Sequence, residues 1–167
     1  MQEVTITLRF NRVCLGGAKK RKHGQTIFCF DRDPSRRVMF LPAAWLSCMR
    51  YAAKIANKHQ AAVKKIDWCP IVLGEPRNDW RRTISKAPAA DNAPTKSYYV
   101  LHEAFCPGDS ISLSAVLPEE VSIAEFKHML TLVGKYRGFS PFNNTQEKYG
   151  TFEVVSVEPV AGPGTEN

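Results

Sequence analysis

A helix start written into its own side chains constrains the C-terminal third of this chain. Ser122 and Glu125 have the spacing of a capping box, in which each side chain satisfies a backbone N–H at the helix start. Val121 and Phe126 stand where a hydrophobic staple would fix the entry angle. Ile123, Phe126, Leu130 and Val133 recur at three- and four-residue steps, so they share one helical face. Gly134 is expected to stop the helix, because glycine accepts the left-handed conformation of a C-terminal cap. Lys135-Tyr136-Arg137-Gly138-Phe139-Ser140-Pro141-Phe142 follows, and then a strand over Phe152 to Val157. A loop mixing glycines, cations and aromatics beside a sheet edge suits a nucleic-acid backbone and its bases. An ordinary connection whose aromatics are tucked into the core accounts for the same residues.

Val4, Ile6, Leu8 and Phe10 alternate with Thr5, Thr7 and Arg9, the pattern of a half-buried strand with Arg9 on the face away from the core. Beyond it, Gly16, Gly17 and Gly24 bracket Lys19-Lys20-Arg21-Lys22-His23, a tip too charged to pack. Gln25 to Phe30 reads as a returning strand, so Cys14 to Thr26 is expected to be a mobile hairpin or loop. Charge is concentrated here. The net charge is +7, and the stretch from Arg9 to Arg37 holds nine Lys/Arg against two acids, so the remainder sums to zero. Such a concentration is the footprint of a protein that meets phosphates or another acidic surface.

Asp31 to Arg37 is turn-rich, and Pro42 opens a helix predicted to run to about His59. Leu46, Met49, Ala53 and Ala56 are its expected buried stripe, with Arg50, Lys54 and Lys58 in a row on another face. Ile66 to Leu73 reads as a strand interrupted at Pro70. Residues 74–97 read as an insertion, disordered in its Ala/Pro/Asn-rich part, from which Trp80 with Arg77, Arg81 and Arg82 could stack on a base or dock a partner. Tyr98 to Phe105 and Ile111 to Leu117 read as a strand pair.

Without the hairpin and insertion, the order is the β-α-β-β-α-β of a ferredoxin-like, RRM-type fold. The expected class is α+β, with a mostly antiparallel sheet, both helices on one face and the other face open to a ligand. Residues 1–160 would form one domain, and 161–167 a disordered tail. Five cysteines without a C-x-x-C pair read as reduced thiols in a cytoplasmic protein. Neither cysteines nor histidines cluster at zinc spacing, so no metal is expected. There is no apolar run long enough to span a bilayer, no signal-peptide pattern and no nucleotide-binding glycine signature, so neither membrane nor cofactor is expected.

Several of these motifs resemble those of the RAMP superfamily, the RNA-binding proteins of CRISPR effector complexes, and in particular their backbone subunits. The resemblance rests on Arg32-Asp33-Pro34, on Phe40-Leu41-Pro42-Ala43-Ala44-Trp45-Leu46 with Arg50 in the helix, and on Gly134 to Gly138 followed by Tyr149 to Val157. Ala43, Ala44 and Ser47 depart from the family's small-residue and lysine pattern. Ile27 stands where RNA-cutting relatives carry an aspartate ahead of the arginine–aspartate turn. The chain is also short for the family, as a reduced, phage-encoded relative would be.

The resemblance implies a non-catalytic protein that holds single-stranded or guide RNA, partnered by effector subunits or copies of itself. Lys19, Lys20, Arg21, Lys22 and Arg137 would contact phosphates, with Arg9, Arg32, Arg36, Arg37, Arg50, Lys54 and Lys135 as further cations. Tyr136, Phe139 and either Trp45 or Trp80 would stack on bases, with Arg81 beside them. Two alternatives stand beside it, the first using the same residues. One is a phage-encoded anti-CRISPR decoy that docks on an effector complex. The other is a metal-independent ribonuclease with His23 as general base.

Overall fold

Strand β1 (Gln2–Phe10) is the spine of the computed structural model, which describes residues 1–86, 94, 96–139 and 148–162. From Val4 onward its even-numbered side chains are dry: Val4, Ile6 and Leu8 are fully buried, and Phe10 is 1% exposed. The chain continues through β2 (Cys14–Leu15), β3 (Ala18–Lys22), β4 (Gln25–Cys29), β5 (Asp31–Arg32) and β6 (Val38–Met39). Helix α1 (Pro42–Ala56) and a 3-10 turn (Ala62–Lys65) lead to the short strands β7 (Asp67–Trp68) and β8 (Ile71–Val72). Then follow β9 (Arg77–Lys86), β10 (Lys96–Phe105), β11 (Ser110–Leu117), α2 (Ile123–Tyr136) and β12 (Phe152–Pro159).

Three sheets result. The largest buried face belongs to an antiparallel sheet ordered β12-β1-β11-β7. Both helices close that face: Trp45 and Met49 from α1 and Phe126, Leu130 and Val133 from α2 join the β1 side chains in one core. The opposite face presents Thr5, Thr7, Arg9, Ser112 and Ser114, with Thr7 and Ser112 hydroxyls 3.3 Å apart. The second sheet has the order β2-β10-β4-β3, with β9 against the other edge of β10. Its β4–β10 pairing is parallel and the others antiparallel. A small antiparallel sheet, β5-β6-β8, joins them. The class is therefore α+β, mostly antiparallel, with two helices.

Four expectations are corrected. The buried stripe of α1 is Trp45, Cys48, Met49, Ala52 and Ala53, not Leu46 and Ala56, and the helix ends at Ala56 because Asn57 takes the left-handed conformation at φ 51°. Gly134 does not cap α2. It lies inside the helix, where a Cβ would sit 2.3 Å from the Phe152 carbonyl oxygen, so its value is close approach to β12. The left-handed residue is Gly138, at φ 79°. The insertion supplies a full strand, β9, because Trp80, Arg82 and Ile84 alternate with Arg81 and Thr83 along β10. Finally, β10 and β11 do not pair; they lie in different sheets. Residues 87–93, 95, 140–147 and 163–167, on which the expected disorder of the Ala/Pro/Asn-rich stretch and of the C-terminal residues falls, lie outside the described residues.

Candidate nucleic-acid interface

The site begins with a tight turn. His23 and Gly24 both have positive φ, 51° and 76°, the pattern of a two-residue type I′ turn whose twist matches its flanking strands. It makes β3 and β4 an ordered ladder from Ala18↔Cys29 to Lys22↔Gln25. Strand alternation then divides the charges between two faces. Lys19 and Arg21 stand on the face of Phe28, and Lys20 and Lys22 on the face of Ile27. All four cations are exposed, and among the described residues none of them forms an ion pair with a carboxylate.

The two faces have different surroundings. On the Phe28 side, the parallel register brings Phe28 beside His102, whose ring stacks on it at 4.7 Å. His102 is fully buried. Its Nδ1 lies 2.8 Å from the Gly16 carbonyl, and its Nε2 accepts from Arg82 Nε at 3.0 Å. Burial first, and then the Arg82 charge, hold His102 below its ordinary pKa against the opposing effect of the Gly16 bond. Nearby, Val13, Leu15 and Ala104 are buried with Trp80 and Tyr149 packed on them. The Ile27 side is more open. Tyr99 is 47% exposed, with the Arg81 guanidinium 4.6 Å from its ring centre.

A cleft of about 510 Å³ opens where Ala18 and Cys29 begin the hairpin. Phe40, Met39 and Phe139 line it with Leu41 and Ala44 from the start of α1, and Ser47, Asp31 and Arg137 are its polar contributors. Arg137 is held in place: it donates to the Ser47 carbonyl at 3.0 Å and to Ser47 Oγ at 2.8 Å. The thiols bordering the cleft stay protonated. Burial pushes Cys48 up to about 11 despite the Arg137 charge, and burial raises Cys14 as well.

The remaining candidates are distributed elsewhere. Arg9 faces Glu153 at 3.9 Å, Arg32 is ion-paired with Glu103 and donates to the Arg36 carbonyl, and Arg37 pairs with Asp33 at 2.8 Å. Although desolvation opposes it, hydrogen bonds from Arg37 hold the Asp33 carboxyl below its ordinary value. Arg36 is exposed and left-handed at φ 65°. Arg50 and Lys54 lie on the exposed face of α1, away from the hairpin in sequence and element, while Lys58 is tied to Glu125. Lys135 lies over the ring of its neighbour Tyr136, itself 53% exposed. Two aromatics are spent inside the protein. Trp45 is fully buried, and Phe139 stacks on Phe40 at 4.5 Å and on Trp45 at 4.2 Å. Trp80 is half-buried on the small cluster.

Sequence reasoning passed over Tyr98, Tyr99 and His102 as site residues. Tyr99 was visible as a strand aromatic, but only pairing with β9 shows it beside Arg81, whereas Tyr98 lies opposite Ile84 on the other face. Among the described residues no three or more His, Cys, Asp or Glu gather as a metal site, and no helix is long and apolar enough to cross a membrane.

The architecture is one found in chains of CRISPR assemblies. It is similar to a chain of the cryo-EM structure of the Type III-B Cmr-beta bound to cognate target RNA, with a TM-score of 0.66 and 11% identity. That match covers 95% of this chain and 60% of the other, so this chain spans under two thirds of its neighbour's length. A chain of a Type IV-B CRISPR complex is similar with a TM-score of 0.50 and 10% identity, covering 96% of this chain and 91% of that one. At these identities the likeness is one of fold. No family model and no curated protein matches the sequence.

Proposed function

We propose that this chain is a non-catalytic RNA-binding protein that holds single-stranded, guide-type RNA as part of a CRISPR effector assembly. The observation that carries the reading is the β3–β4 hairpin. It is an ordered arm with four consecutive cations on its two faces and no carboxylate partner for them among the described residues. Like charges packed this closely repel one another unless a polyanion neutralises them. Beside the arm stand Arg81 and Tyr99, a cation and an exposed ring of the kind that seats single strands. The bare Ser/Thr face of the first sheet contributes no ring, so the RNA path runs along the hairpin sheet.

The fold supports the same reading. The strand order β12-β1-β11-β7, with both helices on one face, suits a ferredoxin-like core and kinship with RAMP backbone subunits. One structural neighbour is a chain of an assembly, Type III-B Cmr-beta, bound to cognate target RNA. The proposal includes no chemistry: His23 sits exposed at the turn tip, with no group among the described residues to orient its ring.

The test is purification of the tagged protein followed by titration with single-stranded RNA at several salt concentrations. A strand that follows one hairpin face, with two contacts, predicts that log K falls with log[salt] with a slope of about −1.4 from the hairpin, and one that wraps all four cations about −2.8, at about 0.7 per neutralised phosphate. Salt-insensitive tight binding contradicts the assignment. A stoichiometric protein partner that persists after nuclease treatment, without RNA, would support the decoy reading in its place.

A further inference from the structure

The cleft at the root of the hairpin is not needed to explain phosphate binding, and its chemistry differs from that of the arm. Its volume of about 510 Å³ falls in the range of small-ligand sites, about 300–1,000 Å³. Phe40, Met39 and Phe139 give it flat, polarisable walls. Arg137 offers donors, and Asp31 and Ser47 offer acceptors, on the same lining. An occupant with a planar apolar body and a hydrogen-bonding edge fits such a lining.

The position of the cleft narrows the occupant further. Ala18 and Cys29, which line it, share a hairpin face with Lys20 and Lys22. Anything seated in the cleft and continuing outward along that face meets the two ammonium groups and then the Arg81–Tyr99 pair. An apolar peptide side chain has no use for that continuation, whereas a nucleotide carries an aromatic base joined to a phosphate chain. Resting on the RNA-binding reading above, we infer that the cleft takes one unstacked nucleobase of the bound strand, while the phosphates flanking that base run onto Lys20 and Lys22.

The experiment compares a single-stranded RNA with an abasic ribose–phosphate strand of the same length, by fluorescence anisotropy, on the wild type and on Ala44→Trp. Ala44 is exposed in the first turn of α1 and lines the cleft, so an indole there fills the space without entering the core. The wild type is expected to bind the base-bearing strand about tenfold more tightly than the abasic one. Ala44→Trp is expected to lose most of that preference, keeping only what stacking on Tyr99 supplies, with an unchanged salt slope. Wild-type binding that ignores the bases overturns the cleft assignment and leaves the RNA reading standing. A base preference undiminished in a folded Ala44→Trp, by far-UV circular dichroism, also overturns it. Failure to bind either strand overturns the RNA reading and the cleft with it. The wild-type comparison stands whether or not the variant folds.

Discussion

Arg82 Nε donates to His102 Nε2 at 3.0 Å, and on the far side of the ring Nδ1 donates to the Gly16 carbonyl at 2.8 Å. The two contacts fix one neutral tautomer, since Nε2 must offer its lone pair to a guanidinium that cannot accept. Through that one ring, strands β9 and β10 are tied to the segment that leads into the cationic hairpin. The Phe28 ring stacked on His102 ties the returning strand to the same point.

Acid should loosen this joint. Protonating His102 would place a charge in a buried site and convert its acceptor into a second donor facing Arg82; burial first, and then the Arg82 charge, hold its pKa below 6.5 in the folded chain. An unfolded chain binds that proton more readily, so the stability contributed by the neutral ring is complete above pH 6.5. It is lost progressively as pH falls from 6.5 through the lower folded-state value. His102→Gln, which can keep a donor and an acceptor but does not titrate, should flatten the fall in melting temperature below pH 6.5 relative to wild type. Parallel melting curves across that range in both proteins would exclude His102 as the source.

Gly134 offers a test of packing against propensity. An alanine in a helix is ordinarily better than glycine by about 1 kcal/mol. Here the added Cβ would meet the Phe152 carbonyl oxygen at 2.3 Å and its ring at 2.6 Å, and the oxygen belongs to a backbone paired with β1. Gly134→Ala should therefore reverse the usual sign and destabilise by about 1–3 kcal/mol, as overpacking does. Urea unfolding reads this directly, and a stabilised variant would refute the contact.

The capped helix start was legible because a capping box is a local signal. Ser122 Oγ accepts from the Glu125 N–H at 3.2 Å, and Glu125 accepts from the Ser122 N–H at 3.0 Å. The alternation of β1 was legible for the same reason. What local patterns did not disclose was partnership across the chain. The end of α2 looked like a glycine stop at Gly134 because sequence does not show that β12 returns to touch it. Phe139 carried the same ambiguity: an aromatic after a Gly-rich turn stacks equally well on bases or on Trp45, and only the tertiary fold selects the second. The cleft was illegible altogether, since it joins the hairpin root, the start of α1 and the end of α2. The hairpin charges, in contrast, were evident because repulsion among neighbouring cations is itself a local property.

Phe139 separates stability from binding. Its ring is partly buried against Phe40 and Trp45, so Phe139→Ala should cost stability near the lower end of the about 3–5 kcal/mol typical of core phenylalanines. Its removal should leave the salt dependence of RNA binding unchanged below the variant's unfolding transition. A changed salt slope in a fully folded Phe139→Ala would give the residue a part in the electrostatic contact.

Acid acts on the α2 start as well. Hydrogen bonds, first from Lys58 and then from Ser122 and His59, hold the Glu125 carboxyl well below its ordinary 4.5. A carboxylate depressed on folding contributes stability above its unfolded value and loses it as pH falls through the folded one. Glu125→Gln should therefore weaken the pH dependence of stability below pH 4.5, while Ser122→Ala should cost about 1 kcal/mol at neutral pH as a lost cap. Thermal melts of the two variants at neutral and acidic pH check both statements.

The hairpin's two faces make the strongest prediction about how RNA would lie. The Phe28 face is backed by the buried His102 and by the cluster of Val13, Leu15 and Ala104, whereas the Ile27 face continues to Arg81, Tyr99 and the cleft. A strand following the open face neutralises Lys20 and Lys22 and misses Lys19 and Arg21. Replacing Lys20 and Lys22 by alanine should reduce the magnitude of the salt slope by about 1.4, two contacts at about 0.7 each. The Lys19→Ala, Arg21→Ala pair should change it by much less, although it removes the same net charge. Equal reductions from both pairs would mean that RNA wraps the arm on both sides, and the slope of log K against log[salt] for the two double variants distinguishes the paths.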